Sequence, residues 1–108
     1  GVELLRKVRS DGVNIAYLAA WNGATAVVRF IAEHPDLGPQ FLKIPGPGDT
    51  TVAHVAAHRD DVAMLEYLNK IVGVELLRKV RSDGVNIAYL AAWNGATAVV
   101  RFIAEHPD

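Results

Sequence analysis

The sequence predicts an all-α protein, built as a helical-repeat solenoid of stacked helix-turn-helix units. Three observations carry that expectation. Residues 1–36 and 73–108 are identical at all 36 positions. The intervening segment 37–72 reads differently but keeps the same plan: "NIAYLAAWNGATAVVRFIA" (14–32) aligns with "TVAHVAAHRDDVAMLEYLN" (51–69). Apolar residues recur at spacings of three and four, and alternation with a period of two is weak, which favours amphipathic helices over strands. The order is therefore A (1–36), B (37–72), A (73–108), in a single repeat domain over 1–108.

Each unit opens with a short amphipathic element, "GVELL" at Gly1 and Gly73 corresponding to "GPQFL" at Gly38. Its apolar residues are Leu4, Leu5 and Val8 in the copies, and Phe41, Leu42 and Ile44 in the middle. The first long helix follows, with Ile15, Leu18 and Ala19 on one face and Val52, Val55 and Ala56 in the middle unit. Asn14, Thr51 and Asn86 stand just before these helices, where a short polar side chain accepts from a free backbone N–H. Asn22-Gly23 and Asn94-Gly95 suit a left-handed turn between helices, and Asp60 at the Gly23 position tolerates that conformation. The second helix carries Ala24, Val27, Val28 and Ile31, or Met64, Leu65, Leu68 and Ile71. Pro35 and Pro107 stop it, and "PGPGD" (45–49) breaks the middle unit between its short element and its helix pair.

Composition narrows function. The chain has 108 residues, 51% of them hydrophobic, and a net charge of −1. No unit is basic, since each copy balances four Lys/Arg with four Asp/Glu and the middle has three against four, so no nucleic-acid partner is expected. Without cysteine there is no disulfide framework, thiolate metal site or cysteine nucleophile. No apolar run is long enough to span a bilayer and no secretory pattern is present, so no membrane partner is expected and a cytoplasmic location is. The only methionine is Met64, which suits a processed piece or an excerpt.

The helix-pair residues resemble ankyrin repeats. Thr51, His54 and Ala56-Ala57 stand at the Thr, His and Ala-pair positions of that family's pattern. Gly12, Ala19-Ala20, Gly23, Val27-Val28 and Ile31 match it in the first copy, as do Gly84, Ala91-Ala92, Gly95, Val99-Val100 and Ile103 in the second. The resemblance covers the two-helix part of all three units. Asn14-Ile15-Ala16-Tyr17 departs from the family's Thr-Pro-Leu-His, and Val52-Ala53 from its Pro-Leu. The units exceed the family's length where its β-hairpin finger lies, and a short helix-like segment stands there instead. The resemblance implies a protein-binding groove lined by the two residues after each Ala pair: Trp21-Asn22, His58-Arg59 and Trp93-Asn94. It also implies structural hydrogen bonding by His54 and a structural role for Tyr17 and Tyr89.

Catalytic chemistry finds little support. His54 and His58 lie one helical turn apart, a half-site for a metal, but the motif has no acidic residue of the metalloprotease kind. "HPD" at His34 and His106 matches a J-domain signature without the basic helix that should precede it. "GPG" is a turn and no phosphate loop, and Ser10 and Ser82 lack a nucleophile-elbow context. The expectation is no enzyme, no catalytic residue, no metal and no cofactor. The expected function is a non-enzymatic scaffold that binds an unidentified protein through its groove. The alternative is a designed or recently duplicated repeat array with no natural ligand, associating end to end through uncapped terminal units or continuing as a longer alternating array.

Overall fold

The computed structural model describes residues 1–106, which form nine α-helices and one 3-10 turn, with no strand among them. The order is α1 (Val2–Leu5), α2 (Ile15–Trp21), α3 (Thr25–Glu33), α4 (Gly38–Leu42), the turn Pro47–Asp49, α5 (Val52–His58), α6 (Val62–Ile71), α7 (Val74–Leu77), α8 (Ile87–Trp93) and α9 (Thr97–Glu105). A short helix followed by a helix pair thus recurs along the chain. The expectation for Pro107, and the last two residues of the second "HPD", lie outside the described residues.

Local chemistry sets the helix boundaries. Asn14 and Asn86 accept from the N–H of Tyr17 and Tyr89, at 3.0 and 2.9 Å. At Thr51 the cap is reciprocal, because its hydroxyl accepts from the His54 N–H at 3.3 Å while His54 Nδ1 accepts from the Thr51 N–H at 3.0 Å. The turns inside the pairs are left-handed, with φ of 68° at Gly23, 69° at Gly95 and 59° at Asp60. Asp60 has a second task that its conformational tolerance did not foretell. Its carboxylate accepts from the Val99 N–H at 3.0 Å, in the first turn of α9, a helix with no side-chain cap of its own. Asp60→Ala therefore loses a cap and strains the turn, and should cost about 2 kcal/mol. Asp60→Asn, which can keep both features, should cost much less. Urea melts of the two variants check this, and equal losses would refute the capping role.

The helices pack as neighbours in series. Within pairs, α2 lies on α3, α5 on α6, and α8 on α9; between pairs, α2 packs on α5 and α5 on α8. The short helices join the pairs, α4 packing on α3 and α2, and α7 on α6 and α5. The result extends 40 × 26 × 21 Å. One continuous core runs through it, and α5 at its centre buries Val52, Ala53, His54, Val55, Ala56 and Ala57. Arg29 bridges α3 to α6, its guanidinium 4.6 Å over the Tyr67 ring.

The spacing-based core needs correction at several positions. Leu18 and Val27 are exposed, as are Leu4, Val8 and Ile44. Ala16, Ala20 and Ala32 are buried instead. For Leu4, Leu18 and Val27 the reason lies in the identical copies, whereas Val8 and its counterpart Val80 are both exposed. Leu4 is 74% exposed and its counterpart Leu76 only 2%; Phe30 is 56% exposed and Phe102 6%. Conversely, Ala16 and Ala20 are buried while Ala88 and Ala92 are exposed. Each copy thus has a leading face (Leu4, Leu18, Phe30 and equivalents) and a trailing face (Ala16, Ala20, Ala32 and equivalents). The middle segment covers the trailing face of the first copy and the leading face of the second.

Candidate interaction surface

Helices α2, α5 and α8 end side by side, so their last residues form a row: Trp21, His58 and Trp93, with Asn22, Arg59 and Asn94 one position on. All six are exposed. They are not independent of one another. The His58 ring stacks on Trp21 with centroids 5.3 Å apart and planes 20° from parallel. On its other side, Asn94 Nδ2 lies 3.0 Å from His58 Nδ1 and also donates to the Leu90 carbonyl at 2.9 Å. Asn94 Nδ2 has protons to give, so His58 Nδ1 is the acceptor and the ring proton sits on Nε2 in the neutral form. Arg59 leans the opposite way. A Cβ at Gly23 would stand 2.9 Å from its guanidinium, so glycine there permits both the left-handed turn and the close passage of Arg59. The C-terminal end of α5 thus reaches both neighbours, His58 and Arg59 toward the end of α2 and His58 also toward Asn94, the residue that follows α8.

Trp93 is 88% exposed and Trp21 46%. Neither is core filling. Trp93→Ala should therefore change stability by no more than about 0.5 kcal/mol, as for other surface substitutions. A thermal melt of that variant tests the assignment, and a loss of several kcal/mol would return Trp93 to the core.

Beside the row lie two cavities of about 390 Å³ each. Arg9, Val13, Tyr17, Leu18 and Trp21 line one, and Arg81, Val85, Tyr89, Leu90 and Trp93 line the other. These are the same five residues in the two copies, so the surface presents one type of aromatic pocket twice, with His58 at the edge of the second. Each pocket carries an ion pair at its rim: Arg9–Asp11 and Arg81–Asp83, both 2.6 Å. The hydrogen bond from each arginine is the main cause that holds the Asp11 and Asp83 carboxyls below the usual range. Asp11 and Asp83 also accept from the N–H of Val13 and Val85, which fixes the loop before α2 and α8.

Sequence reasoning named the tryptophan row but not these pockets. The family resemblance implies a structural role for Tyr17 and Tyr89, and nothing in the family's pattern singles out Arg9 or Arg81. Tyr17 is partly buried because the middle segment's turn lies on it, where a Cβ at Gly46 would stand 2.7 Å from its ring. Tyr89, with the same sequence around it, is exposed. The repeated "RSDGV" before each helix was the available signal, since Arg and Asp two apart in a tight turn pair over its mouth.

The two α5 histidines are set apart. His54 is wholly buried and engaged with Thr51, while His58 is exposed in the row. No group of three or more His, Cys, Asp or Glu side chains converges on a point among the described residues. No helix among them is long and apolar enough to cross a membrane. No protein-family model matches the chain, and no curated protein matches its sequence.

Proposed function

We propose that the chain is a non-enzymatic protein-interaction module, an ankyrin-like stack of three helix-turn-helix units that binds an extended segment of a protein partner along its groove. The observation that carries this reading is the row Trp21–His58–Trp93. Large aromatic side chains stand in water, flanked by Arg59 and two amides, and two like pockets open beside them. Exposed tryptophan and arginine with a polar surround suit an interface hot spot, because each buries much surface while keeping a polar handle. The stacking on Trp21 and the Asn94 contact hold His58 in place before binding, which reduces the entropy lost on association. The serial packing of α2, α5 and α8 and the reciprocal Thr51–His54 cap support the ankyrin-like reading.

Selection from a displayed peptide library against the 108-residue chain, followed by binding to the Trp21→Ala/Trp93→Ala double variant, tests the proposal. Selected peptides should lose at least tenfold in affinity for the double variant, which should retain the helical spectrum of the parent. Peptides that bind both proteins equally would overturn the groove. A structural array without a natural ligand is the second reading, favoured by the 36 identical positions and the complementary leading and trailing faces. A library that yields no groove binder would favour it.

A further inference from the structure

Helix α5 is packed on both sides, by α2 and by α8, so the surroundings of its last residues are set within the described chain. Arg59 differs from the rest of the row in its chemistry. It is exposed, and its guanidinium forms neither an ion pair nor a hydrogen bond among the described residues. It is nonetheless placed. Nη2, Cζ and Nε lie 2.9, 3.6 and 3.6 Å from the point where a Cβ at Gly23 would stand, so the group runs along the bare backbone of the α2–α3 turn. The two carboxylates that follow Arg59 in sequence are engaged elsewhere. Asp60 accepts from the Val99 N–H at 3.0 Å, and Asp61 from the Met64 N–H at 3.1 Å. Trp21, Asn22, Trp93 and Asn94 carry no charge, so nothing in the row balances Arg59.

The flanking amides are arranged alike. Asn22 Nδ2 and Asn94 Nδ2 donate to the carbonyls of Leu18 and Leu90, both at 2.9 Å. Each side-chain carbonyl is left without a hydrogen bond among the described residues. Helices in contact lie about 8–10 Å apart, so the two amides, two helices apart, are separated by roughly 16–20 Å. That is the length of about five or six residues of extended chain.

We propose that Arg59 anchors an aspartate or glutamate side chain in an extended segment of a partner protein, with backbone N–H groups of that segment donating to Asn22 and Asn94. The proposal rests on the groove reading above and adds the chemistry of the occupant. A guanidinium holds a carboxylate through two parallel N–H···O bonds, for which its planar fork is already shaped. A single positive charge matches a single carboxylate better than a doubly charged phosphate. The row continues past Arg59 in both directions, to Trp21 and to Trp93, so the carboxylate belongs to an internal side chain and not to a chain terminus.

The test uses two displayed libraries of seven-residue segments that differ only at the middle residue, fixed as Glu in one and as Gln in the other. The Glu library should enrich on the 108-residue chain well above the Gln library. Synthetic peptides from the enriched pool should lose about tenfold in affinity when that Glu is replaced by Gln, and about as much when the protein carries Arg59→Gln. Together the two changes should cost little more than either alone, because both remove the same pair. The peptide-side change leaves the protein's fold untouched. Arg59→Lys, which keeps the charge without the fork, should recover only part of the loss. Equal enrichment of the two libraries overturns the proposal. So do losses that simply add. Binders that depend on Trp21 and Trp93 but ignore Arg59→Gln remove the carboxylate anchor and leave the groove, whereas two libraries without a binder remove both.

Discussion

Phe102→Ala should destabilise the protein by about 3–5 kcal/mol, the range for a buried phenylalanine lost to alanine. Phe30→Ala, the same substitution within the same 36-residue sequence, should cost about 1 kcal/mol or less. Phe102 is part of the central core and lies 4.1 Å, ring to ring, from His106. Phe30 has a similar companion in His34 at 5.5 Å, but the leading face of its helix is open to water. Local sequence, helix propensity and capping are the same at both places, so the difference between the two losses isolates tertiary burial. Urea denaturation of both variants measures it. Equal losses would mean that the leading face of the first copy is covered in solution, or that Phe102 contributes little to the core.

Acidification from neutral pH toward pH 5 should lower stability through His54, and the expected effect is the second largest. His54 is buried in α5, and burial is the chief cause that holds its pKa below the ordinary 6.5. The nearby backbone of Val85 and Lys79 and the charge of Asp83 oppose that depression, while Arg81 reinforces it. Its Nδ1 accepts from the Thr51 N–H, and its Nε2 has no hydrogen-bond partner among the described residues. A depressed histidine is neutral in the folded chain at a pH where the unfolded chain already binds a proton. The unfolded state then carries more protons, so stability is complete above about pH 6.5 and declines as pH falls below it. Asp11 and Asp83 act in a separate window, because their lowered values remove stability only as pH falls below the ordinary carboxylate value of 3.8. The interval between pH 7 and 5 lies above that carboxylate window. His54→Gln should be less stable at neutral pH and show a flatter dependence on pH across that interval. Thermal melts at matched ionic strength check this, and an unchanged slope in the variant would remove His54 as the cause.

The candidate surface was partly legible because its residues are unusual in type. Tryptophan at the end of a short helix, next to a left-handed turn, marks Trp21 and Trp93, and the aligned position marks His58. Their relations were not legible. That His58 stacks on Trp21 while meeting Asn94 depends on the spacing of α2, α5 and α8. The pockets escaped for the same reason, since Arg9, Tyr17 and Trp21 converge only after the loop before α2 turns back on the helix.

The sequence by itself determined the helical class, the recurring short helix and helix pair, the caps at Asn14, Thr51 and Asn86, and the left-handed turns at Gly23, Asp60 and Gly95. These follow from side-chain spacing and from hydrogen bonds that close within a few residues, so local chemistry suffices. Only the tertiary structure decided that Leu76, Leu90 and Phe102 are buried while Leu4, Leu18 and Phe30 are exposed, and that Ala16 and Ala20 are covered while Ala88 and Ala92 are open. No reading of the copies could separate them, because their residues are the same. Burial belongs to a pair of surfaces, and the two copies present opposite faces to the single segment between them.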